Sequence, residues 1–143
     1  MRANWVTVEY DFSAPVDRVF AYLSEHENLA AVFGASVERL EDGSPERNGV
    51  GSRRRLKVAP GAAPFEETVT RFAPGELIEY RITRGSPLRD HVGIMRFSAA
   101  PGGGTHLDYR IRIASRVPGL SPLVTAVLNR NVTKGLAGVE ANA

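Results

Sequence analysis

The sequence predicts an α+β fold: a curved, seven-stranded antiparallel sheet packed on one long C-terminal helix, with two short helices after the first strand. Three observations predict it. Seven segments are rich in β-branched and aromatic residues or alternate with period two, as half-buried strands require. The connectors between consecutive strands are short, and short connectors join antiparallel neighbours, because parallel ones need long crossovers. The last twenty-six residues, Pro118 to Ala143, carry apolar side chains at helical spacing. A helix of that length spans roughly 35 Å at about 1.5 Å per residue and is the only element large enough to cover one face of the sheet.

The elements follow in order. From Asn4 to Phe12, Val6, Val8, Tyr10 and Phe12 share one face of a strand. Ser13-Ala14-Pro15 is a helix-start signal, with Pro15 read in the first turn, and Val16, Val19, Phe20 and Leu23 then repeat at helical spacing. His26 to Phe33 reads as a second short helix ended by Gly34. Strands follow at Ser36–Glu41, Gly51–Val58, Phe65–Phe72, Leu77–Arg84, His91–Ser98 and Thr105–Ala114. Between them lie Asp42-Gly43-Ser44-Pro45, the loop Ala59 to Pro64, Ala73-Pro74-Gly75-Glu76, Gly85-Ser86-Pro87 and Pro101-Gly102-Gly103-Gly104, all with the residues that turns favour.

Composition narrows the function. The 143 residues suit one domain spanning 1–143, and the apolar share of 43% with a charged share of 24% is that of an ordered globular chain. No apolar run is long enough to span a bilayer, and the N-terminus lacks a signal-peptide pattern, so a cytoplasmic protein, monomeric or homodimeric, is expected. The absence of cysteine removes disulfides, thiol catalysis and thiolate metal sites. A formal charge of +2 does not call for nucleic acid. Arg53-Arg54-Arg55-Leu56-Lys57 lacks the interleaved aromatics of a nucleic-acid site, and strand alternation divides its charge between two faces. His26, His91 and His106 are scattered, so no metal site and no cofactor is predicted.

Alternation also predicts which side chains face the helix. In the last strand these are Leu107, Tyr109, Ile111 and Ile113; in the two before it, Ile78, Tyr80 and Ile82, then His91, Gly93, Met95 and Phe97. In the strand Phe65–Phe72 the inner set is read as Glu66, Thr68, Thr70 and Phe72, with Glu67, Val69 and Arg71 outside. Between Val50 and Val58, Arg54 shares parity with Val50, Ser52, Leu56 and Val58. An inward Arg54 either orients a ligand carboxylate or carbonyl by charge-assisted hydrogen bonds or closes an internal salt bridge to Glu66 or Glu67. A register slip of one residue would instead turn it outward.

The C-terminal helix carries the most pointed feature. Leu120, Leu123, Val124, Val127, Leu128, Val132, Leu136 and Val139 cover about half its circumference at roughly 100° per residue, and Asn131 points near the middle of that arc. Burying its amide alone costs about 1–3 kcal/mol, so Asn131 has either a protein partner or a wet or ligand-filled space beside it.

The order of these features resembles a family. Ser-Ala-Pro before an amphipathic helix, Val50-Gly51-Ser52-Arg53-Arg54-Arg55, Phe72-Ala73-Pro74-Gly75-Glu76-Leu77, Gly103-Gly104-Thr105 and a long terminal helix are together similar to the SRPBCC or START-like superfamily, which includes the birch-pollen allergen type and the polyketide cyclase/dehydrase branch. The resemblance covers essentially the whole chain. It implies a helix-grip fold, in which the sheet wraps the long helix around a deep hydrophobic cavity, and a small hydrophobic ligand such as a lipid or polyketide. It does not imply one activity. Aromatase/cyclases of this type tend to carry an inward arginine two residues before the turn proline; here Phe72 stands there, with Arg71 on the other parity.

Three functions follow. In the first, the chain binds or transports a small hydrophobic molecule contacted by Arg54, Thr70, Phe72, Tyr80, His91, Met95, Phe97, Tyr109, Ile111, Val127 and Asn131. In the second, it is an aromatase/cyclase or dehydratase in which Arg54 stabilises enolate charge and His91 or Tyr109 moves protons. In the third, the outward stripe Arg53, Arg55, Arg110 and Arg112 docks an acidic protein and no small ligand is involved.

Overall fold

A computed structural model describes residues 3–58 and 61–142, with side chains through residue 140. Ala59 and Pro60 of the loop read after Val58, the terminal Met1 and Arg2, and Ala143 at the end of the long helix lie outside the described residues. The strands are β1 (Ala3–Phe12), β2 (Ser36–Glu41), β3 (Arg53–Lys57), β4 (Phe65–Ala73), β5 (Leu77–Arg84), β6 (Leu88–Ala99) and β7 (Thr105–Ser115). Between β1 and β2 come α1 (Val16–Ser24), a 3₁₀ turn at His26–Asn28 and α2 (Leu29–Phe33); α3 (Leu120–Asn142) ends the chain. All seven strands pair antiparallel in the order β1-β7-β6-β5-β4-β3-β2. This is the helix-grip arrangement, and it matches the predicted α+β class element by element.

Local chemistry explains the boundaries. Pro15 sits at the N-cap of α1 with extended φ/ψ, one position earlier than the first turn in which it was read. Gly34 closes α2 at φ 66°, the left-handed conformation that glycine adopts without penalty. The second short helix is therefore two pieces, a 3₁₀ turn running into five residues of α-helix.

The concave face holds the core. Val6, Val8, Phe12, Ile78, Tyr80, Met95, Phe97, Leu107, Tyr109, Ile111 and Ile113 are all buried there. Tyr80 lies directly opposite Gly93 across β5 and β6, and its ring occupies the space where a Cβ on Gly93 would stand. One end of this face is filled by α1, whose Phe20 ring lies 5.3 Å from that of Phe72 and 5.0 Å from that of Phe97.

β4 departs from simple alternation. Its pairing with β5 shifts between Glu66 and Glu67 and again between Val69 and Arg71. A bulge inserts an extra residue and reverses the parity beyond it. Glu67 and Val69 therefore face inward opposite Ile82 and Tyr80, and Phe72 also faces inward, opposite Ile78. Glu66 and Thr68 are on the convex side, contrary to the sequence reading. Thr70 sits at the irregularity and donates its hydroxyl to the Glu79 carbonyl at 3.3 Å.

The two halves of α3 serve different purposes. In the C-terminal half Val132, Leu136 and Val139 are buried, and Gly135 brings the helix against α2: a Cβ there would lie 2.5 Å from Val32 Cα. The Glu140 carboxylate accepts the Ser13 backbone N–H just before α1. The N-terminal half is held at its start by a hydrogen bond from Ser121 Oγ to Asn4 Oδ1 on β1. Between these fixings Leu123 and Val127 remain 61% and 41% exposed.

Candidate functional site

A cavity of about 550 Å³ lies between the sheet and the N-terminal half of α3. Its walls are mostly apolar. Leu56, Phe65, Ile82, Leu88 and Ile111 come from the sheet; Phe33, Gly34 and Ala35 from the end of α2; and Leu120, Leu123, Val124, Val127 and Leu128 from α3. The polar side chains reaching it include Glu67, His91 and Asn131. Asn131 Nδ2 lies 3.4 Å from the Phe33 carbonyl, a long hydrogen bond, and also borders the open space. Both readings of Asn131 are thus partly met: it has one weak protein partner and a void beside it.

The polar end is organised by a buried ion pair. Arg54 and Glu67 stand directly opposite each other on β3 and β4 and are 2% and 5% exposed. Arg54 Nε donates to Glu67 Oε1 at 2.8 Å, and Nη2 lies 2.7 Å from the same oxygen without being aligned for a hydrogen bond. The guanidinium lies beside two adjacent aromatic rings, its Cζ 4.6 Å from the Tyr80 centroid and 5.7 Å from that of Phe33, within range of cation–π attraction.

His91 completes the group. Its Nδ1 accepts the Ile82 backbone N–H at 2.9 Å, so in the neutral ring the proton sits on Nε2. Nε2 lies 3.8 Å from Glu67 Oε2, too far for a direct hydrogen bond. Burial holds the His91 pKa below its ordinary value; the Glu67 charge opposes that shift and the Arg54 charge adds to it. Behind it the Tyr80 and Tyr109 hydroxyls hydrogen-bond each other, and burial raises both above the usual phenol range.

A second buried histidine lies near Arg54. Ser52 Oγ donates to the Gly49 carbonyl at 2.7 Å, so it accepts from His26 Nε2–H at 3.0 Å. His26 Nδ1 has no hydrogen-bond partner. Burial first, then the positive charge of Arg54, pushes the His26 pKa down to about 3.

Of the residues singled out from the sequence, Tyr80, His91, Ile111, Val127 and Asn131 border the cavity. Arg54 and Tyr109 face inward but are not on its wall: Glu67 takes up the guanidinium, and Tyr80 the Tyr109 hydroxyl. Thr70, Phe72, Met95 and Phe97 are away from it. Thr70 is drawn off by the bulge, and the other three belong to the hydrophobic core, where Phe72 and Phe97 stack on Phe20. The internal salt bridge that the sequence offered for Arg54 forms with Glu67; the sequence reading placed that residue on the outer face, although Phe65 and Val69 on one parity and Phe72 on the other already signal a bulge between them. Three of the four arginines of the outward stripe are paired: Arg53 with Glu66 and Glu41, Arg55 with Glu38, and Arg110 with Asp108. Among the described residues no group of three His, Cys, Asp or Glu side chains is placed to hold a metal, and no helix is long and apolar enough to cross a membrane.

The model of one family matches residues 5–143, nearly the entire chain. The chain belongs to the polyketide cyclase/dehydrase and lipid transport family. No curated protein matches it significantly in sequence. Solved structures share the fold. The Zhui aromatase/cyclase from Streptomyces sp. R1128 is 22% identical, with a TM-score of 0.76 over 98% of this chain and 93% of its own. A START superfamily protein from Mycobacterium smegmatis is 14% identical, with a TM-score of 0.77 over 96% and 94%. At such identities the likeness establishes the helix-grip fold of this family member and leaves its chemistry to its own residues.

Two consequences for stability can be measured. Removing one partner of a buried ion pair strands the other, at about 3–5 kcal/mol. Arg54→Met is therefore expected to lower the urea-unfolding free energy by about that amount, and Arg54→Met with Glu67→Leu to recover most of it. An equal loss in single and double variants would show that the stranded charge is not the cause. For His26 the folded-state pKa is below the ordinary 6.5, so protons bind the unfolded chain preferentially and stability falls as pH drops through 6.5 toward 3. By pH 5 the loss is about 2 kcal/mol, before most carboxylates titrate. His26→Gln is expected to flatten the stability curve between pH 7 and 5; an unchanged slope would remove His26 as its source.

Proposed function

We propose that this protein binds or transports a small, mostly apolar molecule in the cavity between sheet and α3. One observation carries the reading: an approximately 550 Å³ hollow with aliphatic and aromatic walls and a few convergent polar groups, which is how ligand pockets are usually built. The exposed Leu123 and Val127 on the same helix face give an apolar molecule a route of entry. Family membership, which includes lipid transport among its described roles, points the same way. The expected outcome is saturable enhancement of the fluorescence of N-phenyl-1-naphthylamine, a neutral apolar dye, on addition of the protein. Val127→Trp, which fills the mouth from a half-exposed position, is expected to weaken that binding at least about tenfold with the urea midpoint unchanged. A dye signal that does not saturate, or that Val127→Trp leaves intact, defeats the proposal.

A second reading, catalysis of cyclisation or dehydration on a polyketide-like chain, draws on the family description and on His91 beside Glu67 at the cavity wall. The acid–base role then falls to His91, whose Nε2 points toward Glu67. Arg54 and Tyr109, both engaged by neighbours, take no direct part. On this reading the protein changes the product profile of a partner polyketide synthase and His91→Phe abolishes the change. An identical profile with and without the wild-type protein eliminates it.

A further inference from the structure

We infer that the molecule held in this cavity is a neutral alcohol or phenol, whose hydroxyl bridges His91 Nε2 and Glu67 Oε2, and not a carboxylic acid. The inference rests on the proposed binding function and specifies its chemistry.

Several hydrogen-bonding positions of the cluster are already used. Glu67 Oε1 takes the Arg54 Nε–H, while Oε2 accepts from no donor among the described residues and belongs to a side chain on the cavity wall. His91 Nδ1 is occupied by the Ile82 N–H, which leaves Nε2–H as a donor. An acceptor and a donor thus stand 3.8 Å apart at the wall, beyond hydrogen-bonding distance of each other. One atom can satisfy both only if it accepts from Nε2–H and donates to Oε2. A hydroxyl oxygen does this; a carbonyl, ether or ester oxygen accepts but has no proton to give.

Charge narrows the choice further. Arg54 neutralises Glu67, so the cluster presents no net positive charge to the cavity. A ligand carboxylate would be buried beside the Glu67 carboxylate with no Lys or Arg among the described residues lining the cavity to compensate it, and a ligand ammonium would compete with the guanidinium already bound to Glu67. The arginine that the sequence offered as a carboxylate clamp is what makes the site unsuited to one. The surrounding Ile82, Leu88 and Ile111 side chains suit an apolar skeleton carrying the hydroxyl.

Three probes with one skeleton test this: 2-naphthol, 2-methoxynaphthalene and 2-naphthoate, each titrated against the protein by displacement of N-phenyl-1-naphthylamine at neutral pH. 2-Naphthol is expected to bind at least about tenfold tighter than either analogue, because a site built to hydrogen-bond a hydroxyl is left with unpaired groups by a ligand lacking it. In His91→Phe, checked for folding by urea unfolding, the ratio of 2-naphthol to 2-methoxynaphthalene affinity is expected to approach one; His91→Met, which likewise has no N–H donor, serves the same purpose if the phenylalanine variant does not fold. Equal binding of the ether, tighter binding of the naphthoate, or a preference that survives loss of His91 overturns the hydroxyl assignment while leaving the cavity function standing. Failure of all three to displace a bound dye overturns the assignment alone, whereas absence of any dye binding overturns both.

Discussion

The close approach of α3 to α2 at Gly135 is the constraint on which the hollow depends. Because nothing larger than hydrogen fits between Gly135 and the Val32 backbone, the C-terminal half of the helix is pressed into the core, and Val132, Leu136 and Val139 are sealed there. The helix is a stiff rod of 23 residues, so fixing one half sets the path of the other. Its N-terminal half is tied to β1 at Ser121 and otherwise runs over the sheet without filling the space beneath it. The wide apolar arc of α3 then makes sense as sectors: one for the core, one for the cavity wall, and one, with Leu123 and Val127, for the mouth.

The other end of the same concave face shows why the space does not extend further. Phe20 from α1 stacks on Phe72 and Phe97, and Met95 packs into the same core, so the hollow is confined to the part of the sheet around Tyr80, Ile82 and His91. Tyr80 stands at the junction. Its ring lies over Gly93, its hydroxyl is tied to Tyr109, and its face receives the Arg54 guanidinium. An aromatic restrained on three sides is a rigid wall, which helps a cavity persist instead of collapsing under packing forces.

Much of the fold was legible in the sequence because its signals are local. β2 and β5 begin and end where their alternation and flanking turns place them, and the inner faces of β5, β6 and β7 follow from period two. Six of the seven strands obey that rule well enough for parity to be read, but β4 does not, since a bulge is a property of pairing and not of one strand alone. That single irregularity accounts for most of the error at the site. Counting through it put Thr70 at the wall and Glu67 outside, so that the salt bridge of Arg54 to Glu66 or Glu67 stood only as one alternative to a ligand clamp. The separation of Met95 and Phe97 from the cavity depends on where α1 packs, a long-range fact that no strand pattern contains.

The β3–β4 register also links chemistry to stability. Without Glu67 opposite it, Arg54 would face the interior unpaired, and an inward arginine lacking a partner is costly enough to demand a ligand anion or a different register. With Glu67 facing inward the charge is met within the protein, the rings of Tyr80 and Phe33 lie against it, and His26 and His91 are kept neutral by burial next to a fixed cation. The cavity therefore borders a cluster whose charges are internally balanced but whose hydrogen-bonding capacity is not exhausted, with Glu67 Oε2 and His91 Nε2–H left over. An environment of that kind discriminates by where protons sit more than by net charge, which is why the polar end of this pocket is a matter of donors and acceptors and the rest of it a matter of shape.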